Sequence, residues 1–164
     1  MCGITGYVGD RDCADVLIDA LSKLEYRGYD SAGIAVFEHG TIKVEKCKGR
    51  LSNLVDKMAR DGKPVGHCGI GHTRWATHGE PSENNAHPHA SDDGNVVAVH
   101  NGIIENYQEL KDKLVRKGYT FYSETDTEVA VKLIDYYYKK YEGTPVDAIN
   151  HALVRIRGSY ALAI

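Results

Sequence analysis

The chain opens Met1-Cys2-Gly3-Ile4-Thr5-Gly6. Methionine aminopeptidases remove an initiating methionine when the next residue is small, and cysteine is small. The processed chain then begins with a cysteine whose α-amine is free. A thiol and a base share one residue. A free thiol titrates near ~8.5 and an α-amine near ~7.7–8.0, so close to neutral pH the amine can take the thiol proton. The thiolate is the attacking species in cysteine chemistry, and an adjacent amine is one way to generate it. Gly3 and Gly6 let other backbone approach this end. A cysteine in second place with no role at all is the competing reading.

Further groups follow in His72-Thr73-Arg74-Trp75-Ala76-Thr77-His78-Gly79. A guanidinium, an indole, a hydroxyl and an imidazole come in quick succession. Arginine makes planar, bidentate contacts with carboxylates, and tryptophan offers a large rigid lid. Arg74, Trp75, Thr77 and His78 are what a pocket for a small carboxylate needs; an ordinary surface loop with an ion pair is the alternative. In His100-Asn101-Gly102-Ile103, the Asn101 amide and the Gly102 N–H are two adjacent donors, able to hold the oxyanion of a tetrahedral intermediate. An Asn-Gly turn is the plainer reading. Asp126 falls in the first turn of an expected helix, where the dipole and free N–H groups favour a carboxylate. It is either that, or the partner of a substrate ammonium.

The histidines invite a metal. His67-Cys68 with His72, and His87-Pro88-His89, are dense, but their spacing matches no zinc pattern. Surface and hydrogen-bonding histidines are the better account, and no metal or cofactor is expected. No phosphate-binding glycine loop is present.

The 164 residues suffice for one domain with its own core, here taken as 1–164. The net charge of −3 with no long basic run argues against nucleic acid as a partner. No apolar stretch approaches ~20 residues, so no membrane span is expected. The N-terminus lacks a charged-then-apolar signal. Cys2, Cys13, Cys47 and Cys68 show no paired spacing, so reduced thiols and a cytoplasmic location are the expectation.

The elements that must position these groups read as follows. Gly3–Val8 is a short buried strand. Candidate caps at 10–12 open a helix that carries Leu17, Leu21 and Leu24 and ends near Tyr26. Ala32–Glu38 and the alternating segment around Ile42 and Val44 make a hairpin about His39-Gly40. Ser52 reads as the cap of a helix with Leu54 and Met58 on one face, stopped by Gly62. Cys68–Thr73 is a strand, and residues 75–94 form a long loop of the kind that is usually functional or disordered. Asn95–His100 is a strand. Asn106 with Glu109, and Thr125 with Glu128, resemble capping boxes. Thr144-Pro145 opens a last helix stopped by Gly158. Residues 158–164 are a strand-like run with no turn after it, so the chain is expected to continue. This order, with strands in hairpins as well as singly, predicts a layered α+β domain.

Taken together, six runs carry a resemblance: Cys2-Gly3-Ile4-Thr5-Gly6, Arg27-Gly28-Tyr29-Asp30-Ser31-Ala32-Gly33, Gly71–Gly79, Asn84-Asn85-Ala86-His87-Pro88-His89, His100–Tyr107 and Ser123-Glu124-Thr125-Asp126-Thr127. In this order they resemble the class II glutamine amidotransferases, and the match covers essentially the whole chain. The runs 27–33 and 73–79 point to the branch of the family that works on a sugar phosphate. The resemblance implies a four-layer αββα sandwich of the N-terminal nucleophile type, incomplete here at its C-terminus. It implies Cys2 as nucleophile, with its own α-amine as base. Asn101 and Gly102 become the oxyanion hole. Arg74 pairs with the α-carboxylate of L-glutamine and Asp126 with its α-ammonium. Trp75, Thr77 and His78 close over the ligand, and Arg27 helps position the nucleophile. It also implies a C-terminal sugar-phosphate isomerase domain beyond this chain, fructose 6-phosphate reached only through that domain, and a homo-oligomeric full-length enzyme. A non-catalytic glutamine-binding module and an amidotransferase serving another acceptor are the alternatives.

Overall fold

Strand β1 (Gly3–Val8) is followed by helix α1 (Cys13–Ser22), the hairpin of β2 (Ser31–Glu38) and β3 (Thr41–Lys48), helix α2 (Leu51–Asp61) and strand β4 (Cys68–Arg74). A computed structural model of the protein describes residues 2–76 and 79–164. The hairpin closes at His39 and Gly40, both at positive φ (48° and 86°), the geometry that matches the twist of paired strands. The four strands form an antiparallel sheet in the order β1-β4-β2-β3. Helices α1 and α2 cover its outer face, burying Leu17, Leu21, Ile34, Leu54 and Met58. Truncating one such leucine to alanine costs about 2–5 kcal/mol.

The second half repeats the logic. Short β5 (His89–Ala90), long β6 (Val97–Ile104) and β7 (Gly158–Ala163) form an antiparallel sheet in the order β5-β6-β7. Helices α3 (Tyr107–Val115), α4 (Asp126–Lys140) and α5 (Pro145–Leu153) pack on its outside. Their core includes Ala98, Ile104, Leu114, Val129, Leu133 and Ala152. β1 and β4 lie against β6, so the layers run helix, sheet, sheet, helix. This is the expected αββα sandwich.

The two hydrophobic clusters are separate, each between a sheet and its own helices. Polar groups lie between the sheets. Successive strand residues point to opposite faces. Thus His72 and Arg74 share the face of β4 toward the second sheet, where His72 bonds Asn101 of β6. His100 shares the α4 face of β6 and bonds Thr127.

Several local expectations are corrected. α1 ends at Ser22, and a single 3₁₀ turn, Glu25–Arg27, carries the chain onward. α2 starts one residue before Ser52. Its cap comes from a distant residue, since the Leu51 N–H donates to the Glu25 carboxylate at 3.0 Å. Asn106 does not cap α3 with its side chain; that amide spans Arg155 O and Arg157 N, both at 2.9 Å. Thr125 caps α4, but Glu128 accepts from the Tyr122 and Ser123 N–H groups instead of returning to Thr125. Gly158 opens β7 rather than closing α5, which ends at Leu153. The Thr144 and Asp147 capping box of α5 is complete.

Candidate active site

Cys2 sits just ahead of β1, half-buried. β4 runs antiparallel to β1, with Gly3 opposite Thr73, so the end of β4 delivers Arg74 and Trp75 beside the cysteine. The Trp75 N–H points at the Cys2 sulfur at 3.3 Å, and the thiol reaches the Trp75 carbonyl at 3.5 Å. The Trp75 indole is 47% exposed and stands edge-on to Tyr29, ring centres 5.4 Å apart.

Arg74 is buried, and its guanidinium donates to the carbonyls of Gly79 (3.1 Å) and Glu80 (3.5 Å). It thereby ties the first part of the long loop to the strand end. Burial lowers its pKa, which the nearby carboxylates of Asp30 and Asp126 oppose. Asp30 in turn accepts from the Ala76 N–H. Arg27, at the end of the 3₁₀ turn, reaches the same cleft.

From the opposite sheet comes Asn101. Its Nδ2 donates to the Cys2 carbonyl at 3.1 Å, and its Oδ1 lies 2.9 Å from His72 Nε2. Asn101-Gly102 is not a turn. β6 continues through both residues to Ile104 because β7 pairs with it throughout, Asn101 opposite Ala161 and Gly102 opposite Tyr160. Gly102 sits at φ +119°, and a Cβ there would lie 2.1 Å from Ser159 O, so only glycine fits.

Asp126 is the first residue of α4 and is 5% exposed. Its Oδ2 accepts from the Ile104 N–H at 2.9 Å, and Oδ1 is 3.7 Å from His100 Nδ1. One carboxylate oxygen is thus committed to β6.

Cys2, Arg27, Arg74, Trp75, Asn101, Gly102 and Asp126 line one cleft of about 550 Å³, within the ordinary range for small-molecule sites. It offers a thiol, a guanidinium, a carboxylate and amide donors around a space open to solvent. Seven of the nine residues singled out from the sequence therefore meet. The other two, Thr77 and His78, lie outside the described residues, as does Met1.

The sequence reading missed the cleft's inner wall. His87, His100, Thr125 and Thr127 also line it. His72, His87, His89 and His100 are all buried, not surface groups. The one signal in the sequence is that His72 and His100 each lie within an expected strand, Cys68–Thr73 and Asn95–His100. Burial lowers the pKa of all four, to about 4 for His72. Among the described residues, no group of histidine, cysteine, aspartate and glutamate is arranged to hold a metal ion. All four cysteines are free, and no helix among the described residues is long and apolar enough to cross a membrane.

A family model described as "Glutamine amidotransferase domain" matches residues 72–164. The chain is 55% identical over its whole length to glutamine–fructose-6-phosphate aminotransferase [isomerizing] of Clostridium tetani, covering 26% of that protein. It is 52% identical to the protein of the same name from Pyrococcus horikoshii, covering 27% of it. It therefore spans about a quarter of the length of the curated relatives it matches. Among solved structures, 99% of the chain superposes on glutamine phosphoribosylpyrophosphate amidotransferase from B. subtilis, with a TM-score of 0.79, 27% identity and 34% of that chain covered. A structure titled as the allosteric regulatory enzyme of purine biosynthesis gives a TM-score of 0.83 at 28% identity, with 99% of this chain and 34% of that one covered. The chain belongs to the class II glutamine amidotransferases.

Proposed function

We propose that the chain hydrolyses the side-chain amide of L-glutamine to glutamate and ammonia, with Cys2 as nucleophile after removal of Met1. The α-amine of Cys2 takes the thiol proton, and the sulfur attacks the amide carbon. The Asn101 Nδ2 and the Gly102 N–H receive the oxyanion that forms as the carbon becomes tetrahedral. The C–N bond then breaks, and the α-ammonium of Cys2 protonates the leaving nitrogen, which departs as ammonia. A glutamyl thioester remains. Water, deprotonated by the same amine, attacks it by way of the same oxyanion site, and the thiol leaves with its proton restored.

Arg74 takes the α-carboxylate of glutamine and Asp126 the α-ammonium. Two charged contacts at one end of the ligand select a free amino acid over a glutamine within a peptide. Trp75, Thr77 and His78 cover the bound ligand, and Arg27 positions the nucleophile. The Trp75 N–H aimed at the sulfur favours negative charge there.

The observation that carries this reading is the meeting of Cys2, Arg74, Asn101, Gly102 and Asp126 around one cleft, although they come from both sheets and the start of α4. We further propose that the ammonia passes to fructose 6-phosphate on a C-terminal sugar-phosphate isomerase domain, in a homo-oligomeric cytoplasmic enzyme. The support for the acceptor and the further domain is the activity named for the relatives and the quarter of their length that the chain spans.

The test is glutamate release from glutamine by the wild-type protein and by Cys2→Ser and Cys2→Ala. Both variants are expected to lose nearly all turnover while still binding glutamine. Turnover retained by Cys2→Ala rules the reading out.

A further inference from the structure

His72 of β4, His87, His89 of β5 and His100 of β6 form a group of buried imidazoles to which the hydrolytic steps assign no role. The rings of His72 and His87 are 4.2 Å apart, and those of His87 and His89 4.8 Å. The Thr127 hydroxyl joins His87 Nε2 at 2.7 Å to His100 Nδ1 at 2.9 Å. Of these rings, His72 bonds a group proposed above to act on the substrate.

His72 Nε2 lies 3.2 Å from the His100 carbonyl oxygen and 2.9 Å from Asn101 Oδ1. A main-chain carbonyl can only accept, so Nε2 carries a proton. That proton settles which end of the Asn101 amide turns toward the imidazole, because only Oδ1 can accept it. Nδ2 must then face the other way, where it donates to the Cys2 carbonyl at 3.1 Å. A flipped amide would set N–H against N–H at His72 and oxygen against oxygen at Cys2. Burial holds His72 far below the usual histidine range, at about 4, so the ring is neutral at neutral pH. Its Nδ1 is buried without a hydrogen-bond partner among the described residues. This agrees with a bare lone pair there and a proton on Nε2.

We propose that His72 is a positioning residue for the oxyanion donor: its Nε2–H fixes the orientation of the Asn101 amide, so that Nδ2 faces the reacting carbon at Cys2. This role rests on the glutaminase reading above. Nothing in it requires His72 to touch substrate. The imidazole acts through Asn101, as a preorganised donor needs a second group to hold it.

The experiment compares His72→Leu, which removes the donor, with His72→Gln, whose amide can restore an N–H near Nε2, each alone and combined with Asn101→Ala in the complete polypeptide. His72→Leu is expected to lower kcat for glutamine hydrolysis about 10- to 100-fold, part of the ~10²–10³ attached to one oxyanion donor, with KM within about threefold. His72→Gln should recover most of that loss. On an Asn101→Ala background, His72→Leu should cost less than about a further twofold, since no amide remains to orient. Alkylation of Cys2 by iodoacetamide is a displacement that forms no oxyanion, and it should proceed at the wild-type rate in His72→Leu.

A wild-type kcat in His72→Leu, a loss that adds in full to that of Asn101→Ala, or alkylation slowed in parallel each overturns the proposal. If His72→Leu does not fold, the ¹⁵N shifts of His72 in the wild-type protein decide: a proton on Nε2 supports the proposal and a proton on Nδ1 overturns it. Failure of the glutaminase reading looks different. Absence of glutamate release by the wild-type protein, or release retained by Cys2→Ala, removes both claims, whereas wild-type turnover in Asn101→Ala, or a slow Asn101→Ala beside an unimpaired His72→Leu, removes only this one.

Discussion

The Asn101 side chain donates to the main-chain carbonyl of Cys2 at 3.1 Å, joining residues 99 apart in sequence and on different sheets. The donor proposed for the oxyanion is thus held against the residue proposed to carry the nucleophile. The distance between them depends on how the two sheets pack, not on any local turn.

Asn101→Ala is expected to lower kcat by about 10²–10³ with little change in KM, because the lost donor acts on the tetrahedral species. Asn101→Asp should be at least as slow, since it sets a carboxylate beside developing negative charge. Steady-state glutamate release measures both. An Asn101→Ala variant whose loss lies mainly in KM would move Asn101 to a ground-state binding role.

Asp126→Asn keeps an oxygen to accept the Ile104 N–H, so the start of α4 should survive. The charge proposed to face the ligand ammonium is lost. A hydrogen bond to a charged group contributes about 1.5–3 kcal/mol, so KM for glutamine should rise roughly 10- to 100-fold. A thermal midpoint close to wild type would show that the fold is intact. An unchanged KM would remove Asp126 from the binding site.

Acid should unfold this protein early. His72 titrates at about 4 in the folded state against an ordinary 6.5, with burial the main cause. Below 6.5 the unfolded chain binds a proton that the folded chain refuses, so stability falls as pH drops from about 6.5 toward about 4. At pH 5 this one ring costs about 2 kcal/mol. His87 and His89 are shifted in the same direction, also by burial. For His100, burial lowers the pKa and Asp126 opposes the shift. Urea midpoints at pH 7.5 and pH 5 should therefore differ clearly, the lower at pH 5. Equal midpoints would mean that these rings are not buried as described.

Gly33→Ala should destabilise the protein and disturb the cleft. A Cβ at Gly33 would lie 2.1 Å from His87 O and 2.7 Å from Lys46 Cβ. Lys46 cannot give way freely, because its ammonium holds the carbonyls of Ala86 (2.9 Å), Pro88 (3.3 Å) and Asn84 (3.4 Å). Overpacking of this kind costs about 1–3 kcal/mol. Chemical denaturation measures the loss, and an unaffected midpoint would contradict the close approach of this loop to β2.

Local patterning made most of the fold readable. Leu17, Leu21, Leu54 and Met58 mark their helix faces by spacing, and His39-Gly40 marks its hairpin by turn chemistry. The misreadings arose where a distant group took over a local task. Glu25 caps α2 in place of Ser52, and Arg155 with Arg157 occupies the Asn106 amide. Asn101-Gly102 looks like a turn until β7, more than fifty residues on, pairs with it. In the site, the charged and nucleophilic residues stood out by type. The histidines did not, because a buried imidazole has the same one-letter signature as one in water. Only the register of β4 and β6, known once both sheets are placed, turns His72 toward Asn101.

The most direct test of the account is the mass of the purified protein before and after treatment with a glutamine analogue carrying an electrophilic side chain. Expected are a chain lacking Met1 and one adduct, located on Cys2 and prevented by excess glutamine. An active protein that retains Met1, or an adduct on Cys13, Cys47 or Cys68 instead, would contradict the account.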